Sequence, residues 1–307
     1  MKRRNFIASA TAATSGLILS PLDSIAKPIF SKNMDANFQL KVLATNWGFQ
    51  GSMDAYCIKV KQEGYNGIEI WWPPEKKDQD EMFTALKKYR LEVGFLVAGH
   101  ESKFEEHFAS FKKMIEPALA NTIQTPLYIN CHSGKDYFSF EDNKKIVDYT
   151  LDLAKRTGIK ILHETHRSRM LFAAPVAKKF FEAIPDLKIT LDISHWCNVS
   201  ESLLHDQQLT VDTALQRTGH IHARIGHPEG PQVNDPRAPE WKDAVEAHFA
   251  WWDKIVAYKK QKGETLTVLT EFGPRDYMPS LPYTLQPLAD QWAINVYMMQ
   301  LFRKRYL

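Results

Sequence analysis

Apolar and polar positions along this chain alternate in blocks. From about residue 38 onward, an apolar run of about six residues is followed by an amphipathic stretch of roughly twelve to twenty, and then by another run. The runs are LKVLATNW (40–47), GIEIWW (67–72), EVGFLVAG (92–99), PLYINCHSG (126–134), IKILHE (159–164), KITLDIS (188–194), GHIHARIG (219–226) and TLTVLTEFG (265–273). Because they are almost continuously apolar, they read as strands buried on both faces, as in a parallel sheet covered by helices. Between them, SMDAYCIKVKQEG (52–64), DEMFTALKKYRL (80–91) and FEDNKKIVDYTLDLAKRTG (140–158) repeat apolar residues at threes and fours, with Lys and Glu between, and are predicted as helices. Gly64 and Gly158 fall where a helix C-cap belongs, just before the next strand. Eight such units in roughly 270 residues predict one α/β domain, a closed (β/α)8 TIM barrel over residues 38–307. No GxGxxG follows the first run, so a dinucleotide-binding sheet has no support. The last helix is predicted to begin near Pro287 and to end in RKRY, where basic residues suit the helix dipole.

The first thirty residues do not share this rhythm. MKRRNFIASATAATSGLILSPLDSIAKPIF has a basic start, a mildly apolar middle rich in Ala, Thr and Ser, and small residues at Ser24 and Ala26. Residues 1–30 are therefore expected to be an export signal and linker, cut near Ala26. Arg3 and Arg4, followed by Asn5, Phe6 and Ile7, resemble the twin-arginine pattern that exports proteins already folded, so a periplasmic location is expected. The apolar stretch is too short and too polar for a stable membrane anchor.

Composition narrows the function. A net charge of +3 on 307 residues gives no footprint for nucleic acid. Cys57, Cys131 and Cys197 are too few and too widely spaced for a disulfide framework or a CxxC zinc site, and read as lone buried thiols. A homo-oligomer is compatible with the sequence.

The chemistry gathers at the ends of the later runs. Glu164, Asp192, His222 and Glu271 close four successive candidate strands, and catalytic groups of a (β/α)8 barrel come from those C-terminal ends. Three carboxylates and one imidazole make a ligand set for one divalent ion of the Mn, Mg, Co or Zn type. His220, His222 and Arg224 stand two apart, so on a strand they share one face. His132 after the fourth run and His100 after the third are candidate substrate contacts, and His166 with Arg167 gives the edge after Glu164 a basic character. Glu69 lies inside an apolar run and must be hydrogen-bonded or belong to the site. Trp47, Trp71, Trp72 and Trp196 sit near strand ends, where aromatic walls suit either sugar faces or packing. His107, His205 and His248 fall on helical stretches and are expected at the surface. The segment ARIGHPEGPQVNDPRAPEW (223–241) is long, polar and punctuated by Pro and Gly, and is expected to be a cover or substrate loop.

These residues carry a resemblance. GYNGIEIW (64–71), HETHR, LDISHW, HIHARI and TEFGP, in this order and spacing, resemble the xylose isomerase-like TIM-barrel superfamily of sugar (phosphate) isomerases and epimerases. The resemblance covers nearly all of the chain beyond the export signal. It implies that Glu164, Asp192, His222 and Glu271 hold the metal, that Glu164 and Glu271 also move the proton, and that His195 contacts substrate. The arginine that such epimerases carry several residues after the metal histidine is replaced here by the His227–Pro228 turn, with Arg224 and Arg237 nearby.

The expected function is a divalent-metal-dependent sugar isomerase or epimerase that moves a proton beside a sugar carbonyl, with His195, Arg224, His132, His100 and His166 toward the substrate. The alternative keeps the site and ends in elimination, a lyase or hydrolase acting on keto-glycosides. A metal-cluster phosphodiesterase needs more ligands and a basic DNA face, which a charge of +3 does not supply. A non-catalytic sugar-binding barrel would have no need for intact acidic ligands. Export away from phosphorylated intermediates points to a free sugar or glycoside as the partner.

Overall fold

The computed structural model describes residues 37–307. The export signal expected over residues 1–30 lies outside the described residues. Eight strands, β1 (Gln39–Thr45), β2 (Gly67–Trp71), β3 (Glu92–Ala98), β4 (Ile129–His132), β5 (Ile161–Glu164), β6 (Ile189–Leu191), β7 (Thr218–His222) and β8 (Thr265–Thr270), close into a barrel in sequence order. Every pairing is parallel, and the closing seam sets Leu40 against Leu266 and Val42 against Val268. Parallel neighbours need a crossover, and helices supply it. They are α1 (Met53–Glu63), α2 (Lys76–Tyr89), α3 (Phe104–Ala120), α4 (Phe140–Thr157), α5 (Ala174–Ala183), α6 (Ile193–Val199), α7 (Gln208–Arg217), α8 (Lys242–Lys262) and α9 (Gln291–Tyr306).

The main apolar core is the layer between the strands and these helices, with Val42, Ile68, Val93, Phe95, Ile189, Val268, Phe249 and Phe302 fully buried there. The barrel interior holds a smaller apolar cluster of Leu43, Tyr128, Leu162 and Leu269. Much of the rest of that interior is polar, and this leaves charged side chains inside the barrel that must find partners. Gly64 and Gly158 adopt left-handed backbone at the ends of α1 and α4, as their positions in the sequence predict.

Three local readings are corrected. The sixth run does not stay extended to Ser194. Asp192 accepts from the Ser194 backbone N–H as an N-cap and starts α6, which carries His195, because Asp followed by Ser competes better for helix N–H groups than for a ladder. The last helix starts at Gln291 and not near Pro287, with the Asp290 carboxylate capping the Ala293 N–H at 3.0 Å. His107 and His248 are fully buried, whereas His205 is exposed as expected. The His107 Nε2 accepts the Gly134 N–H at 3.0 Å, and the His248 Nε2 accepts the Gly226 N–H at 3.2 Å. Each helix histidine satisfies a backbone donor in a loop at the C-terminal mouth, which surface exposure would forbid. The three cysteines are buried and free.

Candidate metal and substrate site

The alternation read along the seventh run survives past the end of the strand. His220, His222 and Arg224 are all buried on the inward side, at 0%, 1% and 2% exposure, although β7 ends at His222. Around them the ends of β5, β6 and β8 bring in Glu164, Asp192 and Glu271. His222 Nδ1 lies 2.9 Å from Glu271 Oε2 and 3.6 Å from Glu164 Oε1. Ligand atoms of Asp192, His222 and Glu271 all lie within 4.8 Å of one another, and so do those of Glu164, Asp192 and His195. The four residues expected as metal ligands therefore meet at one end of the barrel.

The donor set fits a divalent ion on two grounds. It is rich in carboxylate oxygen with one imidazole, the chemistry hard and borderline cations take. His222 Nδ1 and Glu271 Oε2 are also buried and without a hydrogen-bond partner, although they face each other. With Nδ1 unprotonated the two atoms would meet lone pair to lone pair, which only a cation between them, a proton or a metal ion, can satisfy.

Arg224 is the cation already present. Its Nη2 contacts Asp192 Oδ2, lies 3.5 Å from Glu271 Oε2 and donates to His195 Nε2 at 2.9 Å; its Nε donates to Ser194 Oγ at 3.3 Å. Accepting at Nε2 puts the His195 proton on Nδ1, a buried donor with no partner. Tyr277 lies over the Arg224 guanidinium at 4.5 Å and that of Arg167 at 4.9 Å. Arg237 is bound to Asp235 at 2.7 Å and is committed there.

Burial and neighbouring charge push these groups apart. Burial, helped by Glu271, Asp192 and Glu69 and opposed by His222, lifts the Glu164 carboxyl to about 8. Burial raises Glu271 too, but His222 and Arg224 outweigh it and hold that carboxyl below its usual range. Burial would lower His222, but Glu271, Glu69 and Glu164 outweigh it and raise it well above an ordinary imidazole.

The remaining candidates line the β3–β5 side. His132 and His166 are 4.3 Å apart at their ring centres, and His166 and His195 are 3.9 Å apart. Burial first, then neighbouring cations, holds His132 and His195 well below 6.5 and His166 at about 3, so all three are neutral at neutral pH. His100 is exposed at the rim, with its ring 6.3 Å from Trp71. Trp71 is also exposed and packs edge-on to His132 at 5.9 Å, while Trp47 packs edge-on to Tyr277 at 5.0 Å. Trp72 and Trp196 are buried packing residues. The 223–241 segment folds back on itself, with Val233 N–H bonded to Ile225 O, and the Gln232 side chain bonded to both backbone groups of Gly273 after β8.

Sequence reasoning missed three residues here. Asn130 in β4 donates to Glu164 Oε2 at 2.9 Å, Tyr128 just before it donates to Glu69 Oε2 at 2.7 Å, and Tyr277 covers Arg224. Asn130 had a visible signal, a polar residue amid an apolar run. Tyr277 had none, because it comes from an irregular loop.

A family model described as a xylose isomerase-like TIM barrel matches residues 57–239, from α1 to the loop after β7. No curated protein sequence matches the chain significantly. Solved structures that match include 3-keto-D-glucoside 4-epimerase, YcjR, from E. coli, at 17% identity and TM-score 0.55 over 86% of this chain and 100% of that one. Another is the probable 3-DHS dehydratase AsbF of petrobactin synthesis from Bacillus anthracis, at 17% identity and TM-score 0.56 over 87% and 100%. A third is the IOLI protein with a binding zinc atom, at 14% identity and TM-score 0.54 over 87% and 99%. At such identities the likeness shows a shared fold. With more than half of its length matched by the family model, and eight parallel strands closed in sequence order, the chain belongs to the xylose isomerase-like TIM-barrel family.

Proposed function

We propose that this protein is a divalent-metal-dependent sugar isomerase or epimerase that moves a proton beside a sugar carbonyl. The observation that carries the reading is the meeting of Glu164, Asp192, His222 and Glu271, with His222 Nδ1 and Glu271 Oε2 buried and unpartnered. A divalent ion bound by these four would polarise a substrate carbonyl and acidify the neighbouring C–H. Glu271, held ionised by His222 and Arg224, is the group suited to take that proton. Glu164, the other glutamate of the set, is suited to return one. Arg224 and the unpartnered Nδ1–H of His195 supply donors for the oxygen on which charge develops. His132, His166 and His100 with Trp71 offer neutral hydrogen-bonding groups and an aromatic face, which suit the hydroxyls and ring of an unphosphorylated sugar or glycoside.

One observation favours a second reading on the same residues. The Nδ1–H of His195 is buried and unpartnered, a donor that can serve the leaving oxygen in elimination from a keto-glycoside. Incubation with free and 3-keto sugars in deuterated water, followed by NMR, separates the two. Deuterium at one carbon with a new isomer supports isomerisation or epimerisation, and an unsaturated product supports elimination. No exchange with any sugar, with or without Mn2+, Co2+ or Zn2+, overturns both.

The export reading is part of this proposal. Fractionation of the native host should find the protein outside the cytoplasm with residues 1–26 removed, and the purified enzyme should prefer a free or keto sugar to its phosphate ester. A cytoplasmic full-length protein that prefers the ester would overturn the export and substrate reading and leave the metal site standing.

A further inference from the structure

A neutral imidazole offers a lone pair at one ring nitrogen only, and its other neighbour decides which. His222 has a neighbour on each side. Nδ1 faces Glu271 and Glu164, while Nε2 lies 3.0 Å from Glu69 Oε1 on β2, across the barrel. Both side chains are fully buried. Glu69 Oε1 has no hydrogen-bond partner at its present alignment, so the ring and the carboxylate need only turn slightly to satisfy each other. The other oxygen is anchored: Tyr128 donates to Oε2 at 2.7 Å, and His220 Nε2 is 3.3 Å away. Tyr128 stacks on His220 at 4.1 Å, and Thr267 Oγ1 is 2.8 Å from His220 Nδ1. A buried charge held by Tyr128, just before β4, and by His220 and His222 of β7 is an unusual use of a barrel interior, because a packed apolar layer would be cheaper.

We infer that Glu69 is a positioning residue that holds the proton of His222 on Nε2 and so presents Nδ1 to the metal ion. This rests on the proposed metal site. One rival partner exists: the Asn130 amide nitrogen lies 3.2 Å from the same Nε2. Were Asn130 the donor there, the His222 proton would sit on Nδ1 and the ring would have nothing to give an ion. A carboxylate is the stronger partner for an imidazole N–H, because a charge-assisted hydrogen bond is about twice as strong as a neutral one. Carboxylates or carbonyls behind a metal-bound histidine commonly fix ring and tautomer in this way.

The test uses the full folded chain and Zn2+ alone. In wild-type protein with 15N-labelled histidine and saturating Zn2+, the ring spectrum of His222 should show Nδ1 coordinated and Nε2 protonated. Glu69→Gln keeps the shape but removes the carboxylate, and should lower Zn2+ affinity by about 10- to 100-fold in calorimetry. Tyr128→Phe frees one carboxylate oxygen without touching His222. It should weaken binding several-fold, and it stands in if Glu69→Gln fails to fold. A loss of affinity with Zn2+ still on Nδ1 at saturation supports the inference. Zn2+ on Nε2 in the wild type, or folded variants that all bind as tightly as wild type, overturns it while leaving the metal site intact. A wild type that binds no divalent ion overturns the metal site, and this inference with it.

Discussion

The two sides of the barrel mouth are built from different chemistry. On the β6–β8 side, Asp192, Arg224, Glu271 and His222 form a buried lattice of opposite charges, each group stabilised by a neighbour. On the β2–β5 side, His132 and His166 are held neutral by burial, and Trp71 and His100 face solvent. The first side can hold a cation and move charge. The second, apart from Glu164 at the end of β5, can only accept, donate and stack. Under the proposed function this difference is a division of labour: the ionic side, together with Glu164, performs the reaction and the imidazole side recognises the sugar.

The largest test of that division is Glu271→Gln. Glutamine can still coordinate through its carbonyl oxygen but cannot take a proton, so kcat should fall about 10^3-fold. Metal affinity and Tm should stay near wild type. A near-native rate would remove Glu271 from the chemistry and erase the contrast.

Arg224→Met comes next. It leaves Asp192 and Glu271 buried without their cation, which should cost about 3–5 kcal/mol in denaturant unfolding of EDTA-treated protein. Saturating Mn2+ should restore part of the loss, since a second cation serves the same carboxylates. An identical loss with and without the ion would place Arg224 outside the influence of the centre.

Acid should attack the neutral histidines. His163 and His248 are buried, and burial holds each at about 4, below the 6.5 of an exposed imidazole. Between those values the unfolded chain binds more protons than the folded one. Stability should therefore be fully present above pH 6.5 and fall toward pH 4, by roughly 3 kcal/mol for each. Chemical denaturation across that window reads the slope, and a flat profile would contradict the burial argument.

The smallest expected effect is on the recognition side. His132→Ala should raise KM about tenfold with kcat within a few-fold, the size of one lost hydrogen bond. A collapse of kcat with KM unmoved would put His132 with the chemistry and break the division.

The strands were legible because both of their faces are buried, so each is a short apolar block. The meeting of Glu164, Asp192, His222 and Glu271 was legible for a related reason: a polar residue that ends such a block points at the mouth. Partnership was not legible. Glu69 announced itself as a charge inside GIEIW, but His222 and Tyr128 are remote in sequence and meet it only across a closed barrel. His107 and His248 looked like surface positions because local periodicity cannot show that a loop amide will arrive at the ring. Arg224 was read as a substrate donor, and the sequence could not show that Asp192 already holds it.

Those two helix histidines also bear on how such a barrel could be recombined. The loop after β4 is fastened by His107 of α3, which belongs to the preceding strand–helix unit, while the loop after β7 is fastened by His248 of its own α8. A graft that carried β4, its loop and α4 into another scaffold would import the Gly134 amide without its acceptor. The β7–α8 graft would bring its own. Exchangeable cassettes in this chain are therefore bounded by which ring receives which amide, and in one case that boundary lies a helix earlier than the strand.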